Sequence, residues 1–363
     1  MAIKNIIDQI IIQFRNNILN GDIPFGAILP TEEELAKKFN ISRPTIAKVY
    51  NSLQNEGLVK KKIGFGTTVV FNKDKKKYIF GLLLPGSGES EIFSEISDHI
   101  LELSKQKDIT CLWEGTIANN AEMRQDLIMK NIQHYIDNKV DLVIFSPLER
   151  TSRSNFLNEK ICKMLDEESI PLILIDRDIF PFPKRSKYDI IGIDNFRAGY
   201  LMTDHLIKSG CENIYFFYRK DSAFSVNLRL LGCRTACFDS GINFNPDNAI
   251  CGEPSDIQLV KKIKIFNKKT GVLCANDSTA AMLMTTINRI GFKISKDLLI
   301  AGFDDMKYAK NLQIPLTTYR QPLCEIAMCC FNVGLNKLLN PQMAACTYNF
   351  EGKIIIRESS KFT

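Results

Sequence analysis

Apolar residues recur every three or four positions between Asn5 and Leu19, at Ile6, Ile7, Ile10, Ile11, Phe14 and Ile18, which predicts an amphipathic helix closed by Gly21. After the short connection Ile23-Pro24-Phe25-Gly26 the same spacing returns at Leu35, Ala36 and Phe39, and again at Ile46, Val49 and Leu53. The first of these runs carries its own start signal, because a Thr31 hydroxyl can cap the helix while Glu34 supplies the acid three positions on. Asn40 ends it. The second opens at Ser42, with Pro44 in the first turn where a missing N–H costs nothing, and stops at Gly57. Leu58-Val59 and Thr67 to Phe71 then read as strands joined by a hairpin that holds Lys60-Lys61-Lys62 and Gly64-Phe65-Gly66. Three helices and a hairpin in that order make a winged helix-turn-helix. The polar face of its third helix shows Arg43, Thr45, Lys48 and Asn51, groups suited to phosphates and base edges in a major groove.

From Tyr78 the pattern changes to short apolar runs that alternate with helical ones. IFGLLLP, TCLWEG, DLVIFSP, PLILID, IIGID and NIYFFY predict strands; between and after them, helices are expected near Ser94 to Lys107, Glu122 to Asn138, Asn155 to Glu168 and Asn195 to Ser209. Such alternation predicts an α/β body with parallel sheets covered on both faces. Sheets of that kind bind ligands beyond the carboxyl ends of their strands, so the residues just after each strand are the ones to inspect.

Charge sharpens the division. Residues 1–77 hold thirteen Lys and Arg against seven Asp and Glu; subtracting these from the totals of 47 and 41 leaves 34 of each in the remainder. The whole net charge of +6 therefore sits in the first module and the polar stretch Asn72 to Lys77, which reads as a linker. A basic head on a neutral body fits a DNA-binding module joined to one that must not bind DNA. Eleven cysteines without a CxxC pair, and only three histidines, point to free thiols in a reducing cytoplasm and to no metal site. No apolar run is long enough to span a bilayer, and Met1-Ala2-Ile3-Lys4 begins no signal peptide. No cofactor is expected either: Pro85-Gly86-Ser87-Gly88 places Glu91 where a dinucleotide loop needs its third glycine, which leaves a cleft loop, and no GxSxG, Walker A or HExxH motif occurs.

The segment LPTEEELA, SRPTIAKVY, LQNEGL and GFGTTV resembles the GntR family of bacterial DNA-binding domains. That resemblance implies DNA contacts by Thr31, Glu32, Arg43, Thr45 and the wing residue Gly66, with Lys62 and Lys48 beside them; Lys48 stands in for an arginine that is Ala47 here. From about Tyr78 onward DNFRAG, RLLG, AND, GFDD and LTTYRQ recur in the order of the lactose-repressor family, whose effector domain shares its fold with periplasmic sugar-binding proteins. The two halves together look like the arrangement of bacterial arabinose repressors. The domains implied are 1–71 for the winged helix, 72–77 for the linker and 78–363 for a two-lobed effector domain. Within it, lobe 1 takes about 78–188 and 322–345, and lobe 2 about 189–321 and 346–363.

The second resemblance places Arg229, Asn276, Asp304 and Gln321 in the cleft, with Asp176 after PLILID. A sugar offers neighbouring hydroxyls around an apolar face, and fixed bidentate groups with an aromatic plate match it. Arg229 would fork onto two oxygens, Asp304 would accept from two hydroxyls, and Trp113 or Phe93 would stack. Each has a structural alternative: Arg229 as partner of a carboxylate on its own helix, Asp304 as cap of a helix running through Asp305 and Met306, Trp113 and Phe93 as core. Asp277 reads as a helix cap, and Asp194-Asn195 as the turn into a helix. The function implied is a sugar-responsive transcriptional repressor, not an enzyme, that binds operator DNA as a homodimer and is released or retuned by a monosaccharide. The alternatives are a regulator whose second domain is an interaction module or takes a non-sugar ligand, and a pyridoxal-phosphate enzyme fusion, for which the body is too short and lacks a recognisable Schiff-base lysine.

Overall fold

The computed structural model describes residues 2–62, 64–71, 77–85, 91–113, 121–149, 153–265 and 269–362. Most of the expected linker and the expected cleft loop at 86–88 lie outside them. The chain divides into two compact units, Met1–Lys77 and Tyr78–Thr363.

The first unit contains α1 (Ala2–Asn20), α2 (Glu32–Phe39), α3 (Arg43–Asn55), β1 (Val59–Lys62) and β2 (Gly66–Val69). Thr31 caps α2 in a full capping box, its hydroxyl accepting from Glu34 N while the Glu34 carboxylate accepts from Thr31 N. Such a cap contributes roughly 1 kcal/mol. Asn40 closes the helix in the left-handed conformation at φ 53°. Ile46, Val49, Tyr50 and Leu53 bury one face of α3 against Ile10, Ile18 and Leu35. Tyr50 adds an edge-on contact with Phe14 and donates its hydroxyl to the Pro30 carbonyl, a role for that tyrosine absent from the sequence reading. The wing pairs antiparallel from Val59 opposite Val69 to Lys62 opposite Gly66.

The second unit begins with β3 (Ile79–Leu83), α4 (Glu91–Lys107), β4 (Thr110–Leu112), α5 (Ala121–Asp137), β5 (Leu142–Phe145), α6 (Ser154–Glu167), β6 (Leu172–Ile175) and β7 (Asp189–Ile193). It continues through α7 (Asn195–Lys208), β8 (Asn213–Tyr218), α8 (Phe224–Asp239), β9 (Ala249–Cys251), α9 (Ile257–Val260), β10 (Thr270–Cys274), α10 (Asp277–Arg289) and β11 (Leu298–Phe303). The last elements are β12 (Thr317–Arg320), α11 (Leu323–Leu339), β13 (Thr347–Phe350) and β14 (Lys353–Ile355). Two six-stranded sheets result, ordered β13-β7-β6-β5-β3-β4 and β14-β12-β11-β10-β8-β9, each the core of one lobe. Every pairing is parallel except β12 with β14.

The lobe boundaries differ from those expected. β7 pairs with β6 and β13 with β7, so residues 189–193 and 347–350 complete the first lobe's sheet rather than the second's. Sheet membership is set by long-range pairing, and an apolar run such as IIGI fits either sheet. The chain therefore crosses between lobes after β7, after β12 and after β13.

Close helix packing fixes the second lobe. Gly199 on α7 and Gly232 on α8 let the two helices touch backbone to backbone: a Cβ at Gly199 would lie 2.1 Å from the Arg229 carbonyl oxygen, and one at Gly232 would lie 2.0 Å from that of Phe196. The glycines of DNFRAG and RLLG are thus there for space.

Candidate functional site

In the first unit the residues expected to meet DNA fall into exposed groups and braces. Arg43 opens α3 with its side chain 71% exposed, and its Nε lies 3.3 Å from Glu32. Thr45 shares a 2.7 Å hydrogen bond with Ser42. Lys48 is exposed. Glu32 also accepts from Lys61 Nζ at 3.0 Å, the main cause of its lowered pKa, and Lys61 donates to Asn51 as well. Glu32 and Thr31 therefore hold other protein groups in this structure, Glu32 as the acid that positions Arg43, and Asn51 is engaged by the wing. Alternation along β1 leaves Lys60 and Lys62 exposed while Lys61 points to Glu32. Gly66 sits exposed at φ 90°, which favours glycine.

This alternation makes a graded prediction. The pair Lys60→Gln with Lys62→Gln is expected to weaken binding to every DNA sequence alike, and to reduce the slope of log affinity against log salt by about 0.9 for each of the two lysines that neutralises a phosphate. Salt titrations check it; an unaltered slope would make both lysines a solvated face.

In the second unit the carboxyl ends of the strands meet between the lobes. Arg229 on α8 is buried and doubly tied: Nε donates to Asn195 Oδ1 at 2.8 Å and Nη1 to the Ala275 carbonyl at 2.6 Å. Its guanidinium lies 4.3 Å from the centroid of Phe303. No carboxylate hydrogen-bonds to it among the described residues. Asn195, expected only as part of a turn, orients the arginine, while Asp194 caps α7.

Asp304 follows β11 at φ 106°, and its Oδ1 accepts from Gln321 Nε2 at 2.9 Å. No helix starts at Asp305 or Met306, which removes the capping alternative; the next helical turn is Ala309–Asn311. Asp305 is instead occupied by Arg320 and Arg357, both at 2.6 Å. The order of caps after β10 is also reversed from expectation. Asn276 caps α10 through Thr279 N, whereas Asp277 is fully buried and accepts from Met306 N and the Thr318 hydroxyl. Gly302 makes room for that carboxylate, since a Cβ there would meet Asp277 Oδ1 at 2.4 Å.

Across the cleft Asp176 follows β6, also at a positive φ of 72°. Positive φ at two non-glycine residues facing one cleft is backbone strain of the kind that collects at functional sites. Arg177, missed by the sequence reading, joins Asp176 and Glu149 at 3.3 Å each and donates to Pro147 O and Ser146 Oγ. Burial lowers its affinity for a proton, but Glu149 and Asp176 outweigh that and keep it charged. Glu149 then reaches the other lobe, accepting from Ala223 N at 2.9 Å, and Glu91 does the same from Lys307 N. These two carboxylates tie the lobes across the cleft. Inspecting the residue after FSPL would have found Glu149. A cavity of about 140 Å³ opens beside Glu149 and Arg177, with Asp221 and Phe224 on its far wall.

The aromatic candidates divide less favourably. Phe93 is buried in the core at i, i+3 and i+7 spacing with Ile96 and Ile100, so its ring offers no face for stacking. Trp113 packs against the same core, and its buried Nε1 has no hydrogen-bond partner among the described residues.

Burial raises the pKa of Asp304 to about 6, against the pull of Arg229 and Gln321, and the nearby Asp176 and Glu149 push it further up. If ligand hydroxyls donate to this carboxylate, affinity is expected to be flat above pH 7 and to fall about tenfold per unit below pH 6. The unliganded protein should show the opposite trend in stability. Between the unfolded value near 4 and the folded value near 6 the folded state holds the extra proton, so stability declines as pH rises through that window. Ligand titrations between pH 5 and 8 test the expected fall in affinity, and a pH-independent affinity would contradict it.

Residues 6–69 match the model of bacterial regulatory proteins of the gntR family, and residues 203–360 that of a periplasmic binding protein-like domain. The chain is 25% identical over 346 residues to the arabinose metabolism transcriptional repressor of Halalkalibacterium halodurans, covering 87% of this chain and 84% of that one. It is 28% identical over 310 residues to the sucrose operon repressor of Streptococcus mutans, covering 83% and 86%. A transcriptional regulator, CelR, solved as its cellobiose complex, superposes with a TM-score of 0.65 at 16% identity over 91% of this chain and all of that chain, a likeness of fold.

Proposed function

We propose that this chain, a GntR-type DNA-binding domain joined to a periplasmic-binding-protein-like domain, is a transcriptional repressor that releases its operator when a sugar binds between the two lobes. The observation that carries this reading is the cleft itself. Arg229, Asp304 and Gln321 on one lobe face Asp176, Arg177 and Glu149 on the other, a set of charged donors and acceptors suited to hydroxyl pairs. The names of the arabinose and sucrose repressors, and the cellobiose held by CelR, support a sugar as the ligand. The chain acts by binding and not by catalysis, in the cytoplasm where its operator lies; among the described residues no helix is long and apolar enough to cross a membrane. It works as a homodimer that presents two α3 helices to paired half-sites, whose separation a change in lobe geometry alters. Contact with both lobes lets the sugar shift the Glu149 and Glu91 ties and so change that separation.

A thermal-shift screen with pentoses, deoxyhexoses, hexoses and their phosphates tests the reading. A ligand at 100 times its Kd stabilises by about 2.7 kcal/mol, so a neutral sugar is expected to raise the melting temperature by several degrees. No shift with any neutral sugar would contradict the proposal.

A further inference from the structure

The wing carries an aromatic side chain that the fold leaves in water. Phe65 is 68% exposed at the tip of the hairpin, between Gly64 at φ 80° and Gly66 at φ 90°. Its ring has no core to join; the Lys62 ammonium lies 4.3 Å from its centroid. Beside it is a second uncovered side chain: Ile28, 70% exposed, lies 3.5 Å from where a Cβ on Gly66 would sit. Phe65 at the hairpin tip and Ile28 alongside the returning strand, which it meets at Thr68, leave apolar surface that implies something to cover it. The charge around it says what. From Gly57 to Lys73 the chain has four lysines and no acidic residue, and Lys60 and Lys62 are both exposed on β1. A protein partner would need a matching acidic face around an apolar patch, whereas a duplex offers phosphates flanking stacked bases.

We propose that Phe65 is an apolar wedge that enters the DNA minor groove from the wing tip and partly unstacks a base step, while Lys60 and Lys62 hold the phosphates beside it. This inference rests on the DNA-binding reading above. With α3 in a major groove, a hairpin at the end of that helix meets the adjoining minor groove, and the four residues of β1 reach roughly 13 Å beyond the helix end. Phenylalanine inserted between bases kinks a duplex, and does so most readily at flexible pyrimidine–purine steps. The lysine over the ring fits such entry, since it arrives at the backbone with the wedge.

The test uses the full chain and a duplex that it enriches from a random-sequence library. Affinity, bend angle from circularly permuted fragments, and 2-aminopurine fluorescence at successive steps are measured for the unaltered chain, Phe65→Ala and Phe65→Leu. Phe65→Ala is expected to lose tenfold or more in affinity, most of the bend and the rise in fluorescence, with an unchanged salt slope; Phe65→Leu should retain part of each. The melting temperature should not move, because the ring is outside the core. Affinity within twofold and the same bend for Phe65→Ala would overturn the proposal, and so would a loss of affinity that also flattens the salt slope, the mark of a phosphate contact. If the unaltered chain enriches no sequence, the DNA-binding reading falls and takes this inference with it.

Discussion

Asp304→Asn is expected to raise the Kd for the sugar by about 100-fold and to make binding indifferent to pH between 5 and 8. The substitution keeps the shape of the side chain and an oxygen for Gln321 Nε2, so what it removes is the charge. Hydrogen bonds from ligand hydroxyls to a carboxylate contribute ~1.5–3 kcal/mol each, and replacing that carboxylate by an amide weakens two of them at once. The unliganded protein should respond in the other direction. Burial and the neighbouring Asp176 and Glu149 already disfavour a charge at Asp304, so the variant should melt at the same temperature or higher near pH 7.5. A merely structural acid would give the reverse pair of results, with unchanged sugar affinity and a lower melting temperature. Calorimetric titration and a melting curve on the same preparation separate the two.

Gly232→Ala should damage the effector domain more than a single added methyl group suggests. The new Cβ would lie 2.0 Å from Phe196 O and 2.7 Å from Tyr200 N, and both are backbone atoms of α7 that no rotamer change can move. The helices must separate, at a cost of about 3 kcal/mol. For a unit of this size that corresponds to a fall in melting temperature of roughly 6–12 °C. Sugar affinity should fall with it, because Arg229 sits one turn earlier on α8 and holds Asn195 on α7. Gly241→Ala is the control: its φ is 69°, but nothing lies within 4 Å of the added carbon, so only the backbone penalty remains. Equal melting temperatures for the two variants would mean that the close crossing of α7 and α8 does not matter.

The first unit was legible in the sequence because its signals are local. The capping box at Thr31 and Glu34, the left-handed Asn40 and the stop at Gly57 each involve residues within one or two turns, and periodicity identified Ile46, Val49 and Leu53 as core. The alternating pattern after Tyr78 likewise identified β3 to β7 in the first sheet and β8 in the second. What failed depended on partners distant in the chain. The sheet to which β7 and β13 belong is decided by pairing across 157 residues, from Asp189 to Cys346. Asn276 and Asp277 are adjacent and chemically alike; Gly302 and Thr318 decide which of them caps and which is buried. The same holds for Asp304 and Asp305, separated in role by Arg320 and Arg357. For Phe93 the sequence offers a stacking ring with core as its alternative, and its helical spacing with Ile96 and Ile100 was a readable sign of the core. Lys61 shows the limit on the other side: a run of three lysines reads as one feature, and the alternation of β1 splits it.

The central claim is that one ligand site controls the other, and a single titration addresses it directly. The full chain is titrated onto the duplex that it enriches, with and without a saturating concentration of the neutral sugar found in the screen. Coupling of ~1–3 kcal/mol predicts that the sugar lowers DNA affinity between about 5- and 150-fold, and that saturating DNA lowers sugar affinity by the same factor. A sugar that raises the melting temperature but leaves DNA affinity unchanged would contradict the account.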